Sequence, residues 1–178
     1  KAGIALVVSD NKEAYALERA KRAGIEALYL NPGDFKSKED FEMEIIKNLK
    51  KRGVELVALA GYMRLLTSLF VEEYKGRIMN VHPALLPSFK GINGSKDAFD
   101  YGVKIAGATV HFVTEDVDAG PIIAQAAVEV KDDDTEDSLM EKIHEEEHRI
   151  YPKAIKDFIE GKLKIVGRKV RGKRGLTE

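Results

Sequence analysis

Asn80 and His82 stand two residues apart in Met79-Asn80-Val81-His82-Pro83, at the end of an apolar run. Alternate residues of a strand point to the same side, so the amide and the imidazole would share one face. An amide and an imidazole side by side can polarise a carbonyl and move a proton. The stretch Thr114-Glu115-Asp116-Val117-Asp118-Ala119-Gly120-Pro121 supplies carboxylates that would hold such an imidazole by charge. Gly61-Tyr62-Met63-Arg64-Leu65-Leu66 is a third polar-edged segment after a strand-like run. On residue type alone, an Asn and a His at a strand end are structural more often than catalytic. A different chemistry is suggested by His144-Glu145-Glu146-Glu147-His148, which matches H-E-x-x-H and would set two imidazoles on one helix face for zinc. No histidine follows it, His82 and His111 lie far upstream on strand-like runs, and the downstream glutamates are only Glu160 and Glu178. No metal is therefore expected. Within these residues there is no GxGxxG, no GxxxxGK[ST] and no G-x-S-x-G.

The elements that must position these groups follow from periodicity. Gly3 to Val8, Ile25 to Leu30 and Val54 to Leu59 are continuous apolar runs. Helical patterns lie between them: Ala14 to Ala23, then Phe41, Ile45 and Leu49 at four-residue spacing after Ser37, an expected N-cap. Alternation of this kind predicts an α/β fold, an open and mostly parallel twisted sheet with helices on both faces, Rossmann-like in outline. Arg77 to Val81, Ala108 to Thr114 and Ile122 to Val130 read as further strands. The turn from Asp116 to Pro121 predicts an antiparallel return, so the C-terminal part of the sheet is mixed. A last long helix is expected from Thr135, kinked or split at Pro152. Its inward stripe is Leu139, Ile143, Ile150, Ala154 and Phe158, and Glu147 falls on that stripe. A carboxylate there needs a partner, a ligand, or a route to solvent at the stripe's edge. Gly91-Ile92-Asn93-Gly94-Ser95 reads as a mobile loop opening a short helix at Lys96.

Composition narrows the function classes. The 178 residues are 44% hydrophobic and 33% charged, which suits one domain with a sizeable core and excludes a disordered polar chain. Lys plus Arg number 29 against 30 acids, a net charge of −1, without the basic excess that duplex or anionic-membrane binding needs. The absence of cysteine rules out a disulfide scaffold and thiolate metal sites, and fits a reducing, cytoplasmic setting. Apolar runs are far shorter than the roughly 20 residues that span a bilayer. The acid-rich stretch over 129–147 reads as a solvated face, and the basic tail from Lys162 to Arg174 as a frayed end without aromatic residues for base stacking.

Met79-Asn80-Val81-His82-Pro83-Ala84-Leu85-Leu86-Pro87, Gly107 to Val113, and Asp116-Val117-Asp118-Ala119-Gly120-Pro121-Ile122 resemble the folate-dependent formyltransferases. The resemblance runs from Ser9 to about Phe158, with the segments in the family's order and spacing. Gly61 to Leu66 and Glu147-His148-Arg149-Ile150-Tyr151-Pro152 are similar to the branch that acts on glycinamide ribonucleotide. The likeness implies transfer of a formyl group from 10-formyltetrahydrofolate to the glycinamide amine in purine biosynthesis. It implies Asn80, His82 and Asp118 as the catalytic trio, with His111 supporting them. It places Lys38, Met63, Arg64, Leu65, Leu66, Thr114 and Glu115, with Asn80 and Asp118, around the folate, and Gly61, Pro83 and Glu147 around the ribonucleotide. The partners implied are small molecules, not nucleic acid or membrane, and the assembly a monomer or homodimer. Two relatives share the trio: formyltetrahydrofolate deformylase, with water as acceptor, and methionyl-tRNA formyltransferase, with a basic C-terminal domain. Asn93 and Ser95 stand where some members carry histidines. The family's first strand, phosphate loop and helix have no counterpart within residues 1–178, so about 25 residues upstream are expected, as the first strand-to-helix turn of an open α/β fold usually holds phosphate.

Overall fold

The computed structural model describes residues 2–172, whose contacts cluster into two compact units. The first comprises Lys1–Glu55 and Leu66–Tyr74. In it β1 (Val7–Ser9) pairs in parallel with β2 (Ala27–Tyr29), in the register Val7↔Ala27, and α1 (Tyr15–Arg22) joins them. The apolar runs expected as strands are longer than the strands they yield. Ile4 is 66% exposed, because a run of apolar residues becomes strand only where a neighbour completes its hydrogen-bond ladder. α2 (Lys38–Lys51) begins where Ser37 accepts from the Asp40 N–H at 3.0 Å, as its sequence predicts. It buries Phe41, Ile45, Ile46 and Leu49, and packs against α3 (Ser68–Glu73), which buries Phe70 and Val71. Glu42, fully buried on α2, accepts from the Thr67 N–H at 3.1 and 3.0 Å and from the Thr67 hydroxyl. A buried carboxylate is tolerable there because donors at the start of α3 satisfy it.

The second unit comprises Leu56–Leu65 and Lys75–Glu178 and holds a six-stranded sheet. Its strands are β3 (Val57–Leu59), β4 (Ile78–His82), β5 (Ile105–Phe112), β6 (Ile122–Glu129), β7 (Leu163–Val166) and β8 (Lys169–Gly172), in the order β3-β4-β5-β6-β8-β7. β3 and β4 run parallel, while β5 runs antiparallel to both β4 and β6, the mixed arrangement predicted from the turn before Pro121. The fold is α/β, as expected. α4 (Gly94–Tyr101) and α5 (Glu136–Ile159) are its helices. Alanines at 106, 108 and 126 give the sheet a shallow face, and Leu139, Ile143, Ile150 and Ala154 of α5 fill it.

Three expectations are corrected. Pro152 does not split α5, which is one helix of 24 residues; Ile150 and Ala154, buried on either side of the proline, hold both halves against the sheet. The segment around Gly94 and Ser95 is not a loose loop, since both residues are buried in the first turn of α4. The basic tail is not frayed up to Gly172: β7 and β8 form an antiparallel hairpin across Gly167-Arg168, with Ile165↔Val170 in register. Gly167 supplies the left-handed φ of 58° that the tight turn needs. The tail's last residues, 173–178, lie outside the described residues. Among the described residues no helix is long and apolar enough to cross a membrane.

Candidate active site

β4 carries Asn80 and His82 on one side, and antiparallel pairing sets Asn80 opposite His111 and His82 opposite Thr109. The turn between β5 and β6 then brings Asp118 back over both histidines. Its Oδ2 lies 3.5 Å from His82 Nδ1 and its Oδ1 3.6 Å from His111 Nε2, ion-pair rather than short hydrogen-bond separations. Asn80 Nδ2 is 3.5 Å from His111 Nε2. The trio expected from sequence, with His111, is thus assembled as one cluster.

The hydrogen bonds that hold these groups also set their protons. His111 Nδ1 is 3.0 Å from the Phe112 carbonyl, which can only accept, so Nδ1 carries a proton and Nε2 faces Asn80 and Asp118. His82 Nε2 is 2.7 Å from the Phe89 carbonyl, so that nitrogen donates and Nδ1 faces the carboxylate. A protonated His82 or His111 therefore forms an ion pair with Asp118, whereas a neutral one presents a lone pair to it. Burial by itself would raise the Asp118 pKa. The contact with His111, the Gly91 N–H at 2.8 Å and the charges of His82 and His111 outweigh burial and hold it at about 2. Asp118 is an anion throughout the physiological range.

The backbone at Asp118 and Phe89 is left-handed, with φ of 47° and 50°. Non-glycine residues are uncommon there and persist where surroundings over-determine them. Gly120 is one such constraint: a Cβ on it would stand 1.7 Å from the Phe112 carbonyl oxygen, so only glycine lets the turn close on β5. On the other side, Thr109 Oγ1 donates to the Ala84 carbonyl at 2.7 Å and accepts from the Leu86 N–H at 3.0 Å. Gln125 Nε2 donates to the Leu86 carbonyl at 2.9 Å. These bonds fix the Pro83–Pro87 segment that leaves the strand after His82.

The remaining expected residues lie as follows. Gly61 (φ 62°), Met63, Arg64 and Leu65 follow β3 and are exposed, Met63 by 66% and Leu65 by 63%. Because β3 and β4 are parallel with Leu59↔Asn80 in register, this segment leaves the sheet at the edge where His82 ends its strand. Pro83 continues directly from β4, and Thr114 and Glu115 sit exposed on the turn that carries Asp118. Lys38 and Leu66 belong to the first unit, Lys38 as the exposed first residue of α2. Glu147 is half-buried on the inward side of α5, and burial pushes its carboxyl above the ordinary carboxylate range against the opposing charges of His144 and His148. One turn further, the Tyr151 hydroxyl lies 2.8 Å from the Leu59 carbonyl and 2.9 Å from that of Met79, tying α5 to the last residue of β3 and to β4 beside it. Sequence reasoning missed Tyr151, Phe89, Gly91, Thr109 and Gln125. Thr109 and Gln125 could have been found as polar side chains inside otherwise apolar strands, whereas carbonyls and N–H groups leave no trace in residue type.

This cluster can polarise a carbonyl through the Asn80 amide, set the positive charge of an imidazolium beside it and offset that charge with Asp118. A family model described as formyl transferase matches residues 1–155. Phosphoribosylglycinamide formyltransferase of Bacillus subtilis is 45% identical over 158 residues, 89% of this chain and 81% of the relative. The trifunctional purine biosynthetic protein adenosine-3 of Drosophila melanogaster is 45% identical over 160 residues, 90% of this chain, which spans 12% of that longer protein. The crystal structure of glycinamide ribonucleotide transformylase 1 from Symbiobacterium toebii superposes with a TM-score of 0.92 at 50% identity, covering 94% of this chain and 79% of that one. The chain belongs to the formyl transferase family, and within it to the phosphoribosylglycinamide formyltransferases.

Proposed function

We propose that the chain transfers the formyl group of 10-formyltetrahydrofolate to the amine of glycinamide ribonucleotide, as a cytoplasmic enzyme of purine biosynthesis working as one formyltransferase domain. The observation that carries this reading is the placement of Asp118 within 3.6 Å of two imidazoles beside the Asn80 amide. In the reaction the neutral amine attacks the formyl carbon and the carbonyl oxygen becomes an oxyanion. The Asn80 amide and the His82 imidazolium stabilise that charge as it develops, and Asp118 keeps the imidazolium paired. The amine's proton passes to N10 of the folate, with the Asp118–His82 pair and an ordered water as relay. The C–N10 bond then breaks, leaving the formamide and tetrahydrofolate.

In this reading Lys38, Met63, Arg64, Leu65, Leu66, Thr114 and Glu115 contact the folate, and Gly61, Pro83 and Glu147 the ribonucleotide. His111, donating to Phe112 and facing Asn80 and Asp118, supports the trio. No metal takes part: H-E-x-x-H lacks a third ligand, and exhaustive chelation should leave the rate unchanged.

The test is tetrahydrofolate release by the purified protein with 10-formyltetrahydrofolate and each acceptor in turn. Release that requires glycinamide ribonucleotide is expected. Equal release in its absence would make water the acceptor, and release only with methionyl-tRNA would reassign the substrate.

A further inference from the structure

We infer that Arg168, at the tip of the β7–β8 hairpin, is a positioning residue for Asp118. Its Nη1 donates to the Ala119 carbonyl at 2.8 Å, one residue after the left-handed Asp118. The inference rests on the role given to Asp118 in the proposed function. It concerns a residue beyond those matched by the family model, which ends at 155.

Two features make the contact more than an incidental surface bond. The first is where the Ala119 carbonyl lies. The β5–β6 ladder starts at His111↔Ile122, and the Phe112 N–H takes the Pro121 carbonyl at 2.9 Å. Ala119 is therefore outside the ladder, on the part of the turn that strands do not fix. The carboxylate end of the turn is held by the Gly91 N–H, and its C-terminal end by the close approach of Gly120 to β5. Arg168 supplies a third, charge-assisted tether between them. The second is how the hairpin is joined to the sheet. β8 pairs in parallel with β6 at Ile122↔Lys169, so the residue after Arg168 is bonded beside the first residue of β6. The same strand end that begins β6 thus places the guanidinium over the turn. A residue at φ 47° relaxes once its neighbours no longer over-determine it, and at Asp118 relaxation moves the carboxylate away from both imidazoles.

Arg168→Ala, Arg168→Lys, Arg171→Ala and Asp118→Asn are assayed side by side for kcat, both KM values, the pH dependence of kcat, and melting temperature. Arg171, on the same hairpin, controls for loss of one positive charge. For Arg168→Ala, kcat should fall about tenfold, less than the roughly 100-fold that a 1 Å misplacement can cost, with the acidic limb of the pH profile displaced. Arg168→Lys should recover part of the loss, and Arg171→Ala should match the wild type. Wild-type kcat and pH profile in Arg168→Ala would overturn the inference, as would an equal loss in Arg171→Ala or a loss that only follows the melting temperature. If Asp118→Asn itself keeps full kcat, the proposed role of Asp118 fails. If Asp118→Asn is inactive while Arg168→Ala is unaffected, the inference alone fails.

Discussion

Asp118 faces His82 and His111 at 3.5 and 3.6 Å, so its charge serves two imidazoles and cannot be removed from one of them alone. His82→Ala and Asp118→Asn should each lower kcat on the order of 10²- to 10⁴-fold, the range for a positioned proton-transfer group. The double variant should lose far less than the product of the two, because the residues act as a unit. Steady-state rates of the four proteins close the cycle, and multiplicative losses would dissolve the shared network. Glu147 differs because burial raises its pKa, so its ionised form costs the folded state. Glu147→Gln should keep or raise the melting temperature while weakening glycinamide ribonucleotide several-fold and leaving formylfolate nearly untouched. Equal effects on both substrates, or a lower melting temperature alone, would make Glu147 structural. Asn80, His82 and Glu147 were legible because residue type and period carry them: two polar side chains at spacing two on a strand, and an acid on an apolar helical stripe. The Phe89 carbonyl and Gly91 N–H that complete the site come from the backbone's path, which residue type does not encode.

At the scale of elements, the turn between β5 and β6 is the piece on which the site depends. A Cβ at Gly120 would stand 1.7 Å from a backbone oxygen of β5, and no rotamer relieves a clash with main chain. Gly120→Ala should therefore push the turn off the strand, costing about 1–3 kcal/mol of stability and most of the activity, since Asp118 lies two residues away. Thermal unfolding and kcat measured together test this, and an alanine variant unchanged in both would show that the turn has slack. This antiparallel return was legible, because a Gly-Pro turn sits between two β-branched runs. The hairpin of β7 and β8 was not. Its strands are four residues each, too short for the alternation of Leu163, Lys164 and Ile165 or of Lys169, Val170 and Arg171 to stand out from a basic tail. The strands β1, β2 and β3 were found but drawn too long, since an apolar run becomes strand only where a neighbouring strand pairs with it.

Across the whole molecule, 29 basic and 30 acidic side chains nearly cancel, and many are paired at the surface. Side-chain bonds to Arg52, Lys104 and Lys162 lower the pKa values of Glu26, Asp132 and Glu160 respectively. Asp134 is held at about 2, first by Lys142 and then by the Lys131 N–H and Ser138. The exposed pairs of Glu26, Asp132 and Glu160 contribute little and are screened by salt, whereas Asp134, with 7% of its side chain exposed, is shielded. Asp118 is shielded, with 12% of its side chain exposed, so its contribution should survive high salt. Its folded value of about 2 lies below the ordinary 3.8, so its stabilisation is present above pH 3.8 and is lost as pH falls towards 2. Glu147 has the opposite sign: its raised value favours folding on protonation and offsets part of the acid loss. The melting temperature should therefore be nearly flat from neutral pH to about 5 and then fall steeply between about 4 and 2. Asp118→Asn should start lower at neutral pH, fall less in acid, and meet the wild type near pH 2, in low salt and in 1 M salt alike. Melting curves across that range decide it: wild-type and variant curves that run parallel down to pH 2 would mean that the folded protein does not hold Asp118 charged by its contacts with His82, His111 and Gly91.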